Sequence, residues 1–285
     1  MPVVVIGNIS LGGSGKTPLI IALAKALSER GYSVGVVSRG YGGVSAQYPL
    51  VVGPDTLVSP SGDEPLLIAK KLGCPVVVDP NRARAVEKLV KSFSCDLILS
   101  DDGLQHYRLH RDVEIVVVDG RRRFGNGYTL PAGPLRESPR RLKEVDFIIQ
   151  NGGMIEPDDP ETYIVQLETS GLRRFGSSEL IGFDQWVEST NIHAVAAIGH
   201  PERFFESLRQ MGFKVDSEPK NDHQALTAHD IGFDDDLPVM ITAKDAVKYE
   251  GSVPENLWVL EVEMALDNEF VSSLIDCAGL TVTSA

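Results

Sequence analysis

Gly7-Asn8-Ile9-Ser10-Leu11-Gly12-Gly13-Ser14-Gly15-Lys16-Thr17 lies between an apolar run, Val3 to Ile6, and a helix-like run, Leu19 to Glu29. Strand, glycine-rich turn, Lys-Thr and helix together are the sequence form of a loop that cradles phosphates. Glycines let backbone N–H groups face an anion, and the helix start adds the positive end of its dipole. Lys16 can reach β- and γ-phosphates, and Thr17 can ligate Mg²⁺. A strict G-x-x-x-x-G-K-[ST] pattern would put its first glycine at position 10, where this chain has Ser10; Gly12 and Gly13 replace part of the lost freedom. Ser10, Leu11, Gly12, Gly13, Ser14, Gly15, Lys16 and Thr17 are therefore the expected nucleotide-binding residues. The alternative is an ordinary strand-to-helix turn that contains a lysine.

Outward from this loop, short β-branched runs alternate with helical runs. Strands are expected at Val3–Ile6, Ser33–Val37, Val76–Val78, Leu97–Leu99, Glu114–Val118 and Phe147–Ile149, and helices at Pro18–Glu29, Glu64–Leu72 and Arg82–Lys91. Consecutive apolar positions suit parallel strands buried on both faces. The alternation predicts a doubly wound α/β sheet, with ligands beyond the carboxyl ends of its strands. Residues 151–190 contain the breaker clusters Asn151-Gly152-Gly153 and Glu156-Pro157-Asp158-Asp159-Pro160, and are expected to form a linker or β-ribbon. A second, smaller α/β unit is expected over 191–285. Its strands would be Ala194–Ile198, Val239–Thr242 and Leu257–Val262, with a helix at Pro201–Met211. The first 150 residues would form the nucleotide-binding core.

Composition narrows the functional classes. A formal net charge of −13 excludes the basic footprint of a general nucleic-acid binder. Cys74, Cys95 and Cys277 have no metal or redox spacing and are expected to be reduced thiols of a cytosolic protein. No run approaches the about 20 apolar residues of a membrane span, and Met1-Pro2 leads straight into a strand without a signal peptide.

Several polar clusters sit where that sheet would place a site. Leu97-Ile98-Leu99-Ser100-Asp101-Asp102 is an apolar strand ending in two carboxylates, suited to holding Mg²⁺ beside a phosphate loop. A solvated turn is the alternative, because Asp102-Gly103 favours turns. Asp119 ends another strand in the same way. Asp63 and Glu64 begin a helix, where they could simply complement its dipole. Otherwise one serves the metal and the other accepts a proton from an attacking hydroxyl. Arg39 could contact phosphate and Tyr41 could position a substrate, or both could belong to a flexible loop. Gln105 and His106 extend the carboxylate strand end. Arg108, Arg111, Arg121, Arg122, Arg123, Arg136, Arg140, Arg141 and Lys143 form a basic region, either a solvated ion-paired face or a site for a second anion. His223 is one of six histidines and is singled out only by adjoining Asp222.

Taken in order, these motifs resemble the tetraacyldisaccharide 4′-kinase family over nearly the whole chain. The resemblance rests on the loop through Pro18, Ser38-Arg39-Gly40-Tyr41-Gly42-Gly43, Gly62-Asp63-Glu64-Pro65 and Asp101 to His106. It continues through Arg123 to Gly127, Leu130 to Glu137, Gly199-His200-Pro201, Asp222-His223-Gln224 and Thr242 to Lys248. It implies transfer of the ATP γ-phosphoryl group to the 4′-hydroxyl of an acylated glucosamine disaccharide 1-phosphate lipid, giving lipid IVA. It implies two α/β/α domains joined by a β-ribbon, ATP and Mg²⁺ as cofactors, and work at the cytoplasmic face of the inner membrane. Asp63 matches the family's proposed base, assisted by His223. Glu64, Asp101 and Asp102 match carboxylates around the magnesium ion. Arg136, Gln105 and His106 match acceptor- and phosphate-side positions, and a Ser or Thr at Ser10 is common. Members usually carry an apolar or amphipathic helix before the first strand, whereas this sequence opens on the strand. Ala243 stands where the family commonly has Glu. From the phosphate loop alone, two rivals stay open: an ATPase switch, and an ATP-dependent ligase acting on a carboxylate.

Overall fold

The computed structural model describes residues 1–154 and 162–281. The breaker cluster Glu156 to Pro160 lies outside the described residues. Two compact units are present: Met1–Leu167 with Met264–Ala285, and Glu168–Glu263.

The first unit opens with β1 (Val3–Gly7), every residue of which is buried, followed by α1 (Lys16–Glu29) and β2 (Val34–Ser38). Next come β3 (Leu50–Val52), α2 (Val58–Ser61), α3 (Asp63–Leu72), β4 (Val76–Val78), α4 (Arg82–Ser92) and β5 (Leu97–Asp101). Then follow β6 (Val113–Asp119), β7 (Phe147–Asn151) and β8 (Tyr163–Val165). The eight strands form one sheet in the order β3-β4-β2-β5-β1-β6-β7-β8. All pairs are parallel except β3 with β4. The expected mostly parallel α/β class is therefore what the chain forms.

Alternate side chains of β1 leave the sheet on opposite faces. Val3 and Val5 join Ala85 and Leu89 of α4 in one apolar cluster, while α1 packs on β1, β2 and β5. Helical cover on both faces explains why β1 is apolar at consecutive positions. Since β5 and β6 flank β1, the ends of these three strands deliver the phosphate loop, Asp101 and Asp119 to one edge of the sheet.

The second unit contains β9 (Leu167–Arg174), β10 (Leu180–Ile181), β11 (Asn191–Ala196), α5 (Pro201–Gln210) and β12 (Lys214–Pro219). It continues with β13 (Val239–Thr242), α6 (Ala243–Ala246) and β14 (Leu257–Met264). Its sheet runs β10-β9-β14-β13-β11-β12 and has an apolar cluster around Phe205, Met240 and Trp258 and another around Val195, Ile241 and Val259.

Two expected boundaries differ from those observed. The stretch 151–190 is shared between the sheets: β8 pairs with β7 in the first, and the β9–β10 hairpin belongs to the second. The C-terminal helix α7 (Asn268–Cys277) belongs to the first unit, not to the second as the 191–285 boundary assumed. The reason is aromatic. Phe270 of α7 is fully buried, with its ring centroid 5.5 Å from Phe147 of β7 and 5.1 Å from Tyr163 of β8. Such edge-to-face and tilted pairs add to the gain from area burial. The Phe270→Ala variant should lose about 3–5 kcal/mol of stability, seen as a lower urea midpoint.

Candidate active site

The phosphate loop is shaped by its own residues and held from three sides. Gly15, the residue before α1, has φ 99°, a left-handed conformation that suits glycine. A Cβ there would lie 2.6 Å from Asn151 Nδ2, whose amide donates to the Ser14 carbonyl at 3.2 Å. Within the loop, buried Asn8 donates from Nδ2 to the Gly12 carbonyl and to Ser14 Oγ, both at 3.3 Å. Arg122 reaches the Leu11 and Gly13 carbonyls while its Nε donates to Asp119 Oδ2 at 2.8 Å. Asp119, a weaker candidate for the metal, thus anchors an arginine that braces the loop. The third support is the segment Leu130 to Glu137. The Leu11 amide donates to the Pro134 carbonyl at 2.8 Å, and the Arg136 amide donates to the Ile9 carbonyl at 2.7 Å.

The end of β5 brings the charged groups together. Asp102 has φ 46°, and its carboxylate lies between two cations. Lys16 Nζ is 3.4 Å from Oδ1, and Arg136 Nη1 is 2.9 Å from both carboxylate oxygens. Burial opposes ionisation of Asp102, but Lys16 and Arg136 outweigh it and hold the carboxyl below the usual range. Arg136 also donates to Gln105 Oε1 at 3.2 Å, and Gln105 Nε2 donates to the Asn8 carbonyl and to Glu137. Lys16, Asp102, Gln105 and Arg136 are therefore one connected group.

Asp101 differs from its neighbour. It is 1% exposed, accepts from Ser38 Oγ at 3.1 Å, and its carbonyl accepts from Arg82 Nη2 at 2.8 Å. Its Oδ1 is buried without a partner among the described residues. Burial, then Glu64 and Asp102, push its carboxyl up to about 7 against the pull of Lys16 and Arg82. A buried carboxylate oxygen with nothing to satisfy it, beside two more acids, fits a hard divalent cation. Among the described residues no three acidic, His or Cys side chains converge into a complete cage. Mg²⁺ suits such a site, because it usually keeps several waters and phosphate ligands.

Asp63 and Glu64 form the first turn of α3; Asp63 is 2% exposed and its Oδ1 accepts the Glu64 amide at 2.9 Å. Gly62, at φ 82°, packs so closely that a Cβ would lie 2.6 Å from the Tyr41 carbonyl, which joins the start of α3 to the loop after β2. Arg39 and Tyr41 are exposed in that loop. His106 is half-buried and its carbonyl accepts from Arg111 Nη2 at 2.7 Å. Burial, then Arg82, Arg111, Arg108 and Arg39, hold its imidazole below the usual range and so favour the neutral ring. His223 belongs to the second unit, with φ 62° and Nε2 3.7 Å from Asp222 Oδ1.

Much of the basic region is internal pairing. Arg111 and Arg141 both bind Glu114, at 2.6 and 2.5 Å; Arg122 binds Asp119; Arg123 donates to Gln150. Asn8, Ser38 and Arg82 were not singled out from sequence. Arg82 carried one usable signal: a cation in the first turn of a helix opposes the helix dipole, so another partner must compensate.

A family profile described as tetraacyldisaccharide-1-P 4′-kinase, LpxK, matches residues 1–278. The chain belongs to this family. The tetraacyldisaccharide 4′-kinase of Ruthia magnifica is 46% identical over 273 residues, which is 96% of this chain and 85% of that protein. The Haemophilus influenzae protein of the same name is 44% identical over 281 residues, covering 98% and 82%. A crystal structure of LpxK from Aquifex aeolicus in complex with ATP superposes with a TM-score of 0.80 at 27% identity, covering 97% of this chain and 88% of that one. As a family member with a phosphate loop, this chain is an ATP-dependent kinase.

A cation held by Asp101 would need the ionised carboxylate and would therefore displace a proton below pH about 7. Mg²⁺ affinity of the protein should therefore weaken about tenfold per unit as pH falls below that point. Titration calorimetry at several pH values checks this, and Asp101→Asn should remove the dependence.

Proposed function

We propose that this chain transfers the γ-phosphoryl group of ATP to the 4′-hydroxyl of tetraacyldisaccharide 1-phosphate, forming lipid IVA in lipid A biosynthesis. The observation that carries the reading is the joint engagement of Lys16 and Arg136 by Asp102 at the mouth of the phosphate loop. Two cations from separate segments meet where a transferring phosphoryl group would gather charge. Phosphoryl transfer needs positioning and charge stabilisation more than covalent chemistry from the protein.

In this reading the loop from Ser10 to Thr17 holds the triphosphate with its backbone amides. Lys16 and Arg136 turn from Asp102 to the phosphoryl oxygens. Thr17, Glu64, Asp101 and Asp102 would hold Mg²⁺, which neutralises phosphate charge when bound. Asp63 accepts the proton of the attacking hydroxyl, with His223 as its assistant. Arg39, Tyr41, Gln105 and His106 orient the acceptor. No helix among the described residues is long and apolar enough to cross a membrane. The acceptor is an amphiphile and ATP is aqueous, so we place the reaction at the cytoplasmic face of the inner membrane, with peripheral contact and no nucleic-acid partner.

Incubation with Mg-ATP and the disaccharide 1-phosphate lipid should add one phosphate to the distal sugar, seen by mass spectrometry. An ATPase switch would release phosphate without acceptor, and a ligase would give no phosphorylated sugar. Asp63→Ala and His223→Ala should each lower kcat by about 10²-fold or more, the scale of general-base assistance, with little change in KM for ATP. Wild-type turnover in both variants would remove the base assignment.

A further inference from the structure

The family motif Thr242-Ala243-Lys244-Asp245-Ala246-Val247-Lys248 has no part in the chemistry above, yet it contains a buried ion pair. Asp245 is fully buried and Lys248 is 1% exposed, with Nζ 2.8 Å from Asp245 Oδ1. A pair so deep is a weak source of net stability, because desolvation offsets much of its attraction. Its geometry suggests another use. Lys248 Nζ donates to the Ala197 carbonyl at 2.6 Å, and the Ala197 amide donates to Asp245 Oδ1 at 3.2 Å. The pair thus grips both polar groups of Ala197, the residue just past β11.

The same Ala197 carbonyl accepts the backbone amide of His223 at 3.2 Å. His223 sits at the third position of a turn whose Gln224 amide donates to the Asn221 carbonyl at 3.0 Å, and its φ is 62°. A non-glycine residue in that conformation is uncommon, and contacts from its surroundings must hold it there. Thr242 completes the arrangement: its Oγ1 donates to Asp245 Oδ2 at 2.7 Å and accepts the Asp245 amide at 3.1 Å.

We infer that Lys248 and Asp245, steadied by Thr242, are positioning residues that hold the His223 turn in register through Ala197. The inference rests on the catalytic reading of His223 for its kinetic consequence, and on the hydrogen bonds alone for its structural one. The Ala197 carbonyl accepts from both Lys248 Nζ and the His223 amide, so the lysine bears on where the third residue of the turn is held.

The test is a double-mutant cycle on the full chain. Lys248→Met should lower kcat about tenfold with KM for ATP within about twofold, and should speed hydrogen exchange of the His223 amide. Thr242→Val, a milder change that removes only the hydroxyl contacts, should act in the same direction and serves if Lys248→Met does not fold. In a His223→Ala background neither change should lower kcat further. Equal losses in both backgrounds would overturn the inference, because a purely structural defect does not depend on the imidazole. Unaltered protection of the His223 amide in the folded variants would overturn it too. If His223→Ala alone keeps wild-type turnover, the catalytic reading falls, and amide exchange still decides whether the clamp exists.

Discussion

Asp102 places one carboxylate where two cations from different parts of the chain must meet. Lys16 arrives from the start of α1, and Arg136 arrives from the loop between β6 and β7. Two cations gathered on one carboxylate repel each other, and that carboxylate offsets the repulsion. The parallel pairing of β1 with β5 is what puts Asp102 beside the loop. The remaining contacts, from Gln105 to Asn8 and from Arg122 to the loop carbonyls, extend this meeting point into a braced cradle.

The two acids at the end of β5 show how adjacent identical residues take different characters. Asp101 points among buried neighbours and is pushed toward its neutral form. Asp102, one residue on and in the left-handed region, is kept charged by its cations. β5 ends at Asp101, and the left-handed backbone of Asp102 turns its carboxylate to Lys16 and Arg136. Consecutive positions therefore present one carboxyl biased toward its neutral form and one held ionised.

Much of the first unit could be read from the chain because β1 and β4 are apolar runs, β5 and β6 carry the apolar cores Leu97–Leu99 and Ile115–Val118, and α1, α3 and α4 begin at recognisable turns. The short antiparallel β3 was missed: three residues of Leu50–Val52 carry no periodicity. The placement of α7 was missed because it depends on Phe270 meeting Phe147 and Tyr163, contacts more than 100 residues apart in sequence. At the site, the phosphate loop and the acidic pair were legible as motifs. The roles of Asp119 and Glu114 were not, since a carboxylate bound to arginine and one bound to metal look alike until distances are known. Asn8 and Arg82 act through backbone carbonyls, which sequence patterns do not display.

The return of the chain to its first unit at Met264 gives the second unit the form of an insert. Its opening strand β9 and closing strand β14 are neighbours in one sheet, so the chain enters and leaves through adjacent rungs of the same ladder. A cassette bounded in this way can be lengthened or trimmed while the strand order that carries the phosphate loop is left untouched.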